Sequence, residues 1–133
     1  MKVILKTKML GCLIFLNIAS GLCAGNDIQF ERISRKEGLS HSVVYCIIQD
    51  RQGFMWICSE DGLNRYNGYD FNVFKHDSSD PRSVSISSLC CIYEDRSGIL
   101  WAGTWGGGVN RFDPRTEEFV RYQHDPDDPF SLS

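Results

Sequence analysis

The chain has few of the features that mark metal proteins, nucleic-acid-binding proteins and membrane proteins. Its 133 residues include only three histidines, and its six cysteines form no Cys-x-x-Cys pair. Because no two histidines have the spacing of metal ligands, we predict no metal site and no bound cofactor. The formal net charge of −3 argues against a nucleic-acid partner. No stretch reaches the roughly 18 apolar residues of a membrane-spanning helix, so we predict no membrane span in this chain.

Catalytic motifs are also lacking. The glycine run at 106–108 is not followed by the Lys-Ser or Lys-Thr of a phosphate-binding loop, and no serine lies in a nucleophile elbow. The acidic run at 125–128 lacks the glycine and distant glutamate of a calcium loop. Asp50 and Asp95 are each followed by arginine, but both stand in an Asp-x-x-Gly turn, where an aspartate caps its own backbone. We therefore predict no catalytic residue and no enzymatic activity.

The N-terminus has the layout of a secretory signal peptide. Three lysines lie within the first eight residues, a mostly apolar run follows at 9–18, and mostly small residues follow at 19–24. We predict cleavage after Ala24 and export to the periplasm. The alternative is a lipoprotein signal with Cys23 as the acylated residue, although Leu22 before it is large for such a site.

The chain repeats itself. Residues 38–68 and 83–114 are two copies of one pattern, and each contains Asp-Arg-x-Gly followed three residues later by tryptophan. That tryptophan is Trp56 in the first copy and Trp101 in the second. Residues 119–133 align with the segment that joins the two copies, so we interpret them as the start of a third repeat. The two tryptophans are 45 residues apart, and a repeat period of this length is typical of stacked repeat architectures.

Each copy reads as four short strands separated by turns that contain Gly, Asp or Asn. In the first copy the predicted strands are 43–49, 54–59, 63–66 and 71–75. A repeated four-strand sheet is the blade of a β-propeller. We predict an all-β, incomplete β-propeller with about two four-stranded antiparallel blades and a partial third, after an N-terminal signal segment. The predicted boundaries are 1–24 for the signal peptide, 25–70 for the first blade, 71–118 for the second, and 119–133 for a truncated third repeat.

The predicted strand pairing bears on the cysteines. If Asp50 pairs with Gly53 across the turn, Cys46 faces Ile57, and Cys58 faces the residue before Cys46. Since successive residues point to opposite faces of a sheet, the two thiols then diverge. Cys90 and Cys91 diverge for the same reason. We therefore predict free cysteines and no disulfide between Cys46 and Cys58.

These residues resemble the two-component regulator propeller repeat. The shared marks are the Asp-x-x-Gly turn, the following tryptophan, the Gly103-Thr104 step, the Asn-Arg-aromatic strand and the Asp-Pro-x-Ser-Leu-Ser linker. The resemblance covers roughly residues 30–133. The first copy departs from the pattern where Cys58-Ser59 replaces Gly-Thr, and we expect this change to affect packing.

The resemblance implies a fragment of the periplasmic ligand-sensing region of a hybrid two-component histidine kinase, with glycan-derived oligosaccharides as ligands. Complete members are anchored in the inner membrane and carry a kinase, which is not transferred to this chain. The implied partners are an oligosaccharide and either the remaining blades of a longer chain or further copies of this one. The alternatives are a fragment of a propeller enzyme such as a lyase, and a protein-interaction propeller.

Strand order predicts which residues meet a ligand. The loop before the first strand of a blade and the loop between its second and third strands lie at the same end. We expect that end to hold polar groups and one aromatic ring, which suits glycan recognition. The candidate ligand-binding residues are His41, Glu60, Asp61, Arg82 and Trp105. Trp56 and Trp101 are instead predicted to lie in the core between blades.

Overall fold

The structure is a computed structural model that describes residues 30–132. It contains two four-stranded antiparallel sheets, and in each sheet every strand pairs with the next strand of the chain. The first sheet, blade 1, consists of β1 (Val44–Gln49), β2 (Met55–Ser59), β3 (Gly62–Tyr66) and β4 (Phe71–Phe74). The second sheet, blade 2, consists of β5 (Leu89–Glu94), β6 (Leu100–Thr104), β7 (Val109–Asp113) and β8 (Glu118–Tyr122). The predicted all-β class with two four-stranded blades is confirmed.

Other elements are short or lie outside this description. A 3₁₀ helix, Arg35–Glu37, precedes blade 1 and ends at Gly38, whose φ of 112° is left-handed. The predicted signal peptide, 1–24, lies outside the described residues. Within residues 30–132 no helix has the length and apolar character needed to cross a membrane.

The sheets correct two predicted boundaries. We placed the ends of the first and second blades after residues 70 and 118, which assigns β4 to blade 2 and most of β8 to the third repeat. In the structure β4 pairs with β3, and β8 pairs with β7. The physical reason is the tight turn before β4, in which the Asn67 amide donates to the Asp70 carbonyl and folds β4 back onto its neighbour. Blade 1 therefore includes β4, and blade 2 includes β8.

A repeated aspartate shapes the turn between the first two strands of each blade. Oδ1 of Asp50 accepts hydrogen bonds from the amides of Gln52 and Phe54, at 2.9 and 3.0 Å. Oδ2 of Asp50 accepts one from the indole nitrogen of Trp56 at 2.7 Å. Asp95 makes the same set of bonds in blade 2. The predicted capping role of these aspartates is confirmed, and the same side chain also orients the tryptophan.

The hydrophobic core lies between the two blades. Trp56 is 1% exposed and stands 5.9 Å from the Phe74 ring and 5.1 Å from the Phe112 ring, measured between centroids. Burying such a side chain fully contributes about 1.5–3 kcal/mol, so this contact holds the blades together. The prediction of a core role is confirmed for Trp56. Trp101 is only half-buried, because it lies on the face of blade 2 that points away from blade 1.

The cysteine register differs from the prediction. The Asp50 amide donates to the Phe54 carbonyl, not to Gly53, so the turn is one residue longer and every later pair shifts by one. As a result Cys46 lies directly opposite Cys58 on the same face of blade 1. The sulfurs of Cys90 and Cys91 are 3.8 Å apart because a bulge interrupts β5 between Leu89 and Cys91. The expected divergence of both pairs is wrong, and all four thiols are free in the structure.

Candidate functional site

The candidate site is one end of the two sheets, where β1 begins and where β2 and β6 end. We call this the loop end, and it comprises residues 41–43, 60–61 and 104–108. Backbone hydrogen bonds hold these loops in place. The Gly62 amide of blade 1 donates to the Ser87 carbonyl, just before blade 2, at 2.7 Å. Within blade 2 the Trp105 amide donates to the Ser88 carbonyl at 3.1 Å, which extends the pairing of β5 with β6.

Two aromatic rings from different blades meet at the loop end. Trp105 and Tyr45 are 63% and 46% exposed, and their ring centroids are 6.4 Å apart at an interplanar angle of 66°. Edge-to-face pairs at this distance attract each other, so each ring fixes the other while its open face stays in water. The pairing at β1 shifts register between Val44 and Cys46, which leaves Tyr45 without a partner across the strand. Sequence reasoning missed Tyr45 because nothing in the strand pattern signals this bulge.

Three glycines shape the loop that carries Trp105. Gly106 and Gly108 have φ values of 84° and 76°, which L side chains rarely adopt. A Cβ on Gly107 would lie 2.7 Å from side-chain atoms of Ser85 and Thr104. Left-handed φ at Gly106 and Gly108 and close packing at Gly107 therefore favour glycine at all three positions, so the shape of the loop accounts for the glycine run without a bound phosphate.

The polar residues of the loop end form two pairs. Nδ1 of His41 accepts a hydrogen bond from the Val43 amide at 3.1 Å and lies 3.6 Å from Oε2 of Glu60. At 3.6 Å the contact between His41 and Glu60 is longer than a hydrogen bond. Nζ of Lys75 donates to Oδ2 of Asp61 at 2.6 Å, and both side chains are about half exposed. Such an exposed pair contributes only about 0–1 kcal/mol, so its groups are available to a ligand at little cost.

Arg82 lies apart from the other candidates. Its Nη1 donates to Oε1 of Glu118 at 2.6 Å, and its Nε is 3.4 Å from Asp80. Glu118 pairs with Asp113 at the turn between β7 and β8, which is at the other end of blade 2 from Trp105. The structure therefore brings His41, Glu60, Asp61 and Trp105 to one end, and the predicted grouping is wrong for Arg82. The reason is that the linker before blade 2 runs along β8, with the Phe119 amide bonded to the Arg82 carbonyl, before it reaches the loop end.

The remaining polar features are structural. His76 and His124 lie in the repeated linkers, where Nδ1 of each ring is within hydrogen-bond distance of a backbone oxygen, on Val84 and Leu132 respectively. Within residues 30–132 no three His, Cys, Asp or Glu side chains are arranged to hold a metal ion. The loop end thus offers hydrogen-bonding groups and aromatic faces.

Comparison with known proteins identifies the repeats. The sequence profile of the family "Two component regulator propeller" matches residues 38–61 and 82–106. The chain carries two-component regulator propeller repeats. The matched segments contain every candidate ligand-binding residue and also Tyr45.

The chain is similar to extracellular domains of two component systems and to part of a histidine kinase. It superposes on the extracellular domain of a hybrid two component system from B. thetaiotaomicron with a TM-score of 0.70 and 34% identity, over 77% of this chain and 14% of that one. A second extracellular domain from that organism, of a one component system, gives a TM-score of 0.56 at 27% identity, over 68% of this chain and 13% of the other. The chain is also 39% identical over 74 residues to "Histidine kinase P4" of Formosa agariphila.

The matched regions are small parts of these relatives. The match to the histidine kinase spans 55% of this chain and 5% of the kinase. The fold is therefore all-β with two blades that match part of a propeller domain, and the resemblance predicted from sequence is confirmed.

Proposed function

We propose that this chain is part of the extracellular ligand-sensing propeller of a two-component regulator and that its loop end binds an oligosaccharide derived from a complex glycan. The observation that carries the proposal is the exposed Tyr45–Trp105 pair beside the polar side chains of His41, Glu60 and Asp61. Sugar rings have apolar faces that stack on aromatic rings and hydroxyl rims that need hydrogen-bond partners. The likeness to extracellular domains of two component systems supports a sensing role.

The chain's own residues recognise and position the ligand in this proposal. Trp105 supplies the stacking face, and Tyr45 holds the indole in place from the neighbouring blade. The carboxylates of Glu60 and Asp61 accept hydrogen bonds from sugar hydroxyls, and Lys75 donates one. We assign the chain no catalytic step, since kinase activity belongs to other regions of such regulators.

Oligosaccharide binding is tested by titration. The probes are oligosaccharides released from plant and marine polysaccharides by partial hydrolysis, added to the purified chain and followed by isothermal calorimetry. We expect at least one pool to bind, and we expect Trp105→Ala and Tyr45→Ala each to weaken binding about tenfold, the loss of roughly one aromatic contact. Tyr69→Ala is the matched control, because Tyr69 is also an exposed aromatic residue but lies in the turn before β4, at the other end of blade 1. Binding that Tyr69→Ala weakens as much, or no binding to any pool, contradicts the proposal.

We also propose that residues 1–24 are an export signal and that the mature chain is periplasmic. The basic, apolar and small segments of the N-terminus support this. N-terminal sequencing of the protein from fractionated cells is the measurement, and we expect the mature chain to begin at Gly25. An intact Met1 in the cytoplasmic fraction contradicts it. A modified Cys23 at the N-terminus indicates a lipoprotein signal instead.

A further inference from the structure

The sulfurs of Cys90 and Cys91 lie 3.8 Å apart, although the two residues are neighbours in a β-strand. In a regular strand successive side chains point to opposite faces of the sheet, which separates neighbouring thiols. The pairing of β5 with β6 shifts register between Leu89 and Cys91, where one extra residue interrupts the ladder. This bulge brings the two thiols to the same side.

Gly103 leaves the space that the two sulfurs occupy. It lies opposite Cys91 in β6, and a Cβ on it would lie 2.6 Å from Sγ of Cys91 and 3.5 Å from Sγ of Cys90. Non-bonded atoms pack best at about 3.5–4.0 Å, so a side chain at position 103 would displace the Cys91 sulfur. The two cysteines and this glycine therefore form one close-packed group.

Blade 1 has the same bulge without adjacent thiols. Its register shifts just before Cys46, and Tyr45 stands at the position equivalent to Cys90. Cys58 occupies the position equivalent to Gly103 and lies opposite Cys46. Cys58 is fully buried, and burial raises the pKa of its thiol, which disfavours exchange with a disulfide in solution. Among the described residues, the arrangement that favours thiol exchange is therefore the one in blade 2.

The distance between the two sulfurs is a property of blade 2 alone. Both sulfurs and the glycine beside them belong to β5 and β6, which pair with each other. No group from another blade is needed to hold either thiol in place. A blade packed against this face would change the access of an oxidant but not the bulge that brings the sulfurs together.

We propose that Cys90 and Cys91 are a redox-active pair that forms a disulfide between neighbouring residues by exchange with a small-molecule disulfide such as oxidised glutathione. In the first step, one thiolate attacks a sulfur of oxidised glutathione, and one reduced glutathione leaves. In the second step, the other thiolate attacks the mixed disulfide and releases a second reduced glutathione. The chain loses two protons and two electrons, and the two glutathione molecules take them up.

This disulfide is more easily reduced than one of ordinary geometry. Neighbouring Cα atoms are about 3.8 Å apart across a trans peptide bond, whereas disulfides usually join Cα atoms about 4.4–6.8 Å apart. The oxidised form is therefore strained, and strained disulfides are the ones that open and close reversibly. The pair follows the thiol–disulfide balance of its surroundings, close to the loop end, since Leu89 pairs with Thr104.

A glutathione titration of the purified, reduced chain tests the pair. Buffers with a rising ratio of oxidised to reduced glutathione are used at about pH 8, because burial raises the pKa of the Cys90 thiol. After an acid quench, free thiols are alkylated with N-ethylmaleimide, and the chain is cut with trypsin. Cys90 and Cys91 fall in one peptide, 83–96, whereas Cys46 and Cys58 fall in two others. We expect peptide 83–96 to lose two hydrogens and to carry neither maleimide nor glutathione.

The folded geometry should favour the disulfide. We expect the equilibrium constant for oxidation to be at least about tenfold larger in the folded chain than in urea, because the fold holds the sulfurs together. Gly103→Ala should lower this constant in the folded chain, since its Cβ displaces Sγ of Cys91. Cys46→Ser is the matched control and should leave oxidation of the pair unchanged, because Cys46 lies in blade 1.

Two results overturn the proposal. One is a folded chain whose peptide 83–96 keeps both thiols, carries only glutathione or is cross-linked to another peptide at the most oxidising ratio. The other is an equal equilibrium constant in the folded and the unfolded chain, which would show that the bulge does not favour the reaction. This second comparison uses only the wild-type chain, so it decides the question even if Gly103→Ala does not fold. Neither result depends on oligosaccharide binding or on export.

Discussion

The guanidinium of Arg51 binds the carbonyl oxygen of Arg96, the residue at the same position of the next repeat. A second bond reaches the Asp95 carbonyl, and the Arg51 amide donates to Oε2 of Glu94 at 3.1 Å. Each turn thus presents both a donor arginine and acceptor carbonyls, so one sequence motif makes both sides of the junction between blades. The hydrophobic core between the blades sets the distance between them. The hydrogen bonds of Arg51 align the β1–β2 turn of blade 1 with the β5–β6 turn of blade 2.

Removal of this arginine should destabilise the pair of blades. We expect Arg51→Ala to lower the free energy of unfolding by about 1 kcal/mol, since hydrogen bonds from an arginine to carbonyls are lost but the side chain is largely in water. Urea unfolding followed by tryptophan fluorescence is the measurement. Arg96→Ala is the matched control and should have little effect, because the Arg96 guanidinium makes no hydrogen bond within residues 30–132. Equal losses for the two variants would show that the contact with blade 2 is not the cause.

The sequence predicted almost every strand end to within one residue. It did not predict the register of the paired strands or the positions of all the loops. Alternating apolar residues and turn residues locate β1 to β4, because these patterns act locally. The register depends on whether the Asp50 amide bonds to Gly53 or Phe54, and both turns suit the same sequence. That choice reversed the predicted relation of Cys46 to Cys58.

The candidate site was predictable only in part for a similar reason. Glu60, Asp61 and Trp105 follow strand ends, so topology alone places them at one end of the sheets. Arg82 lies in a linker whose path is set by bonds to β8, and Tyr45 reaches Trp105 through a bulge. Neither the linker path nor the bulge has a sequence signal that acts locally.

Asn64 is a buried polar group on which blade 1 depends. Its Oδ1 accepts from the Ser40 amide at 2.9 Å, and its Nδ2 donates to the Ile57 carbonyl at 3.1 Å. Asn110 makes the equivalent bonds in blade 2. We expect Asn64→Leu to lower the free energy of unfolding by about 1–3 kcal/mol, because a buried amide and a buried carbonyl lose their partner. Asn72→Leu is the control, since Asn72 is exposed, and a comparable loss in both variants by urea unfolding would contradict the explanation.

Stability should fall in acid because of Asp95. The indole N–H of Trp101 and the Ile99 amide stabilise its carboxylate and lower the pKa of that group below its ordinary value. The unfolded chain therefore binds its proton first as the pH falls, so the stabilisation is complete above about pH 4 and is lost as the pH drops through the lowered pKa. We expect Asp95→Asn to be less stable than wild type at pH 7 and the difference to shrink toward pH 3. Urea midpoints from pH 3 to 7 measure this, and a difference independent of pH would contradict it.

Cys46, Cys58 and Cys91 should react with iodoacetamide at different rates. Cys58 is fully buried, and burial raises the pKa of its thiol, which lowers the fraction of reactive thiolate. Cys46 lies opposite Cys58 and packs against the core, whereas Cys91, its counterpart in the next repeat, is exposed on the face of blade 2 that points away from blade 1. In the folded, reduced chain we expect Cys91 to react first, Cys46 more slowly, and Cys58 at least about tenfold more slowly than Cys91. Pulsed alkylation with peptide mass spectrometry gives the three rates, and they should converge in denaturant. If Cys46 reacts as fast as Cys91 in the folded chain, Cys46 does not face blade 2, and the register with Cys46 opposite Cys58 is wrong.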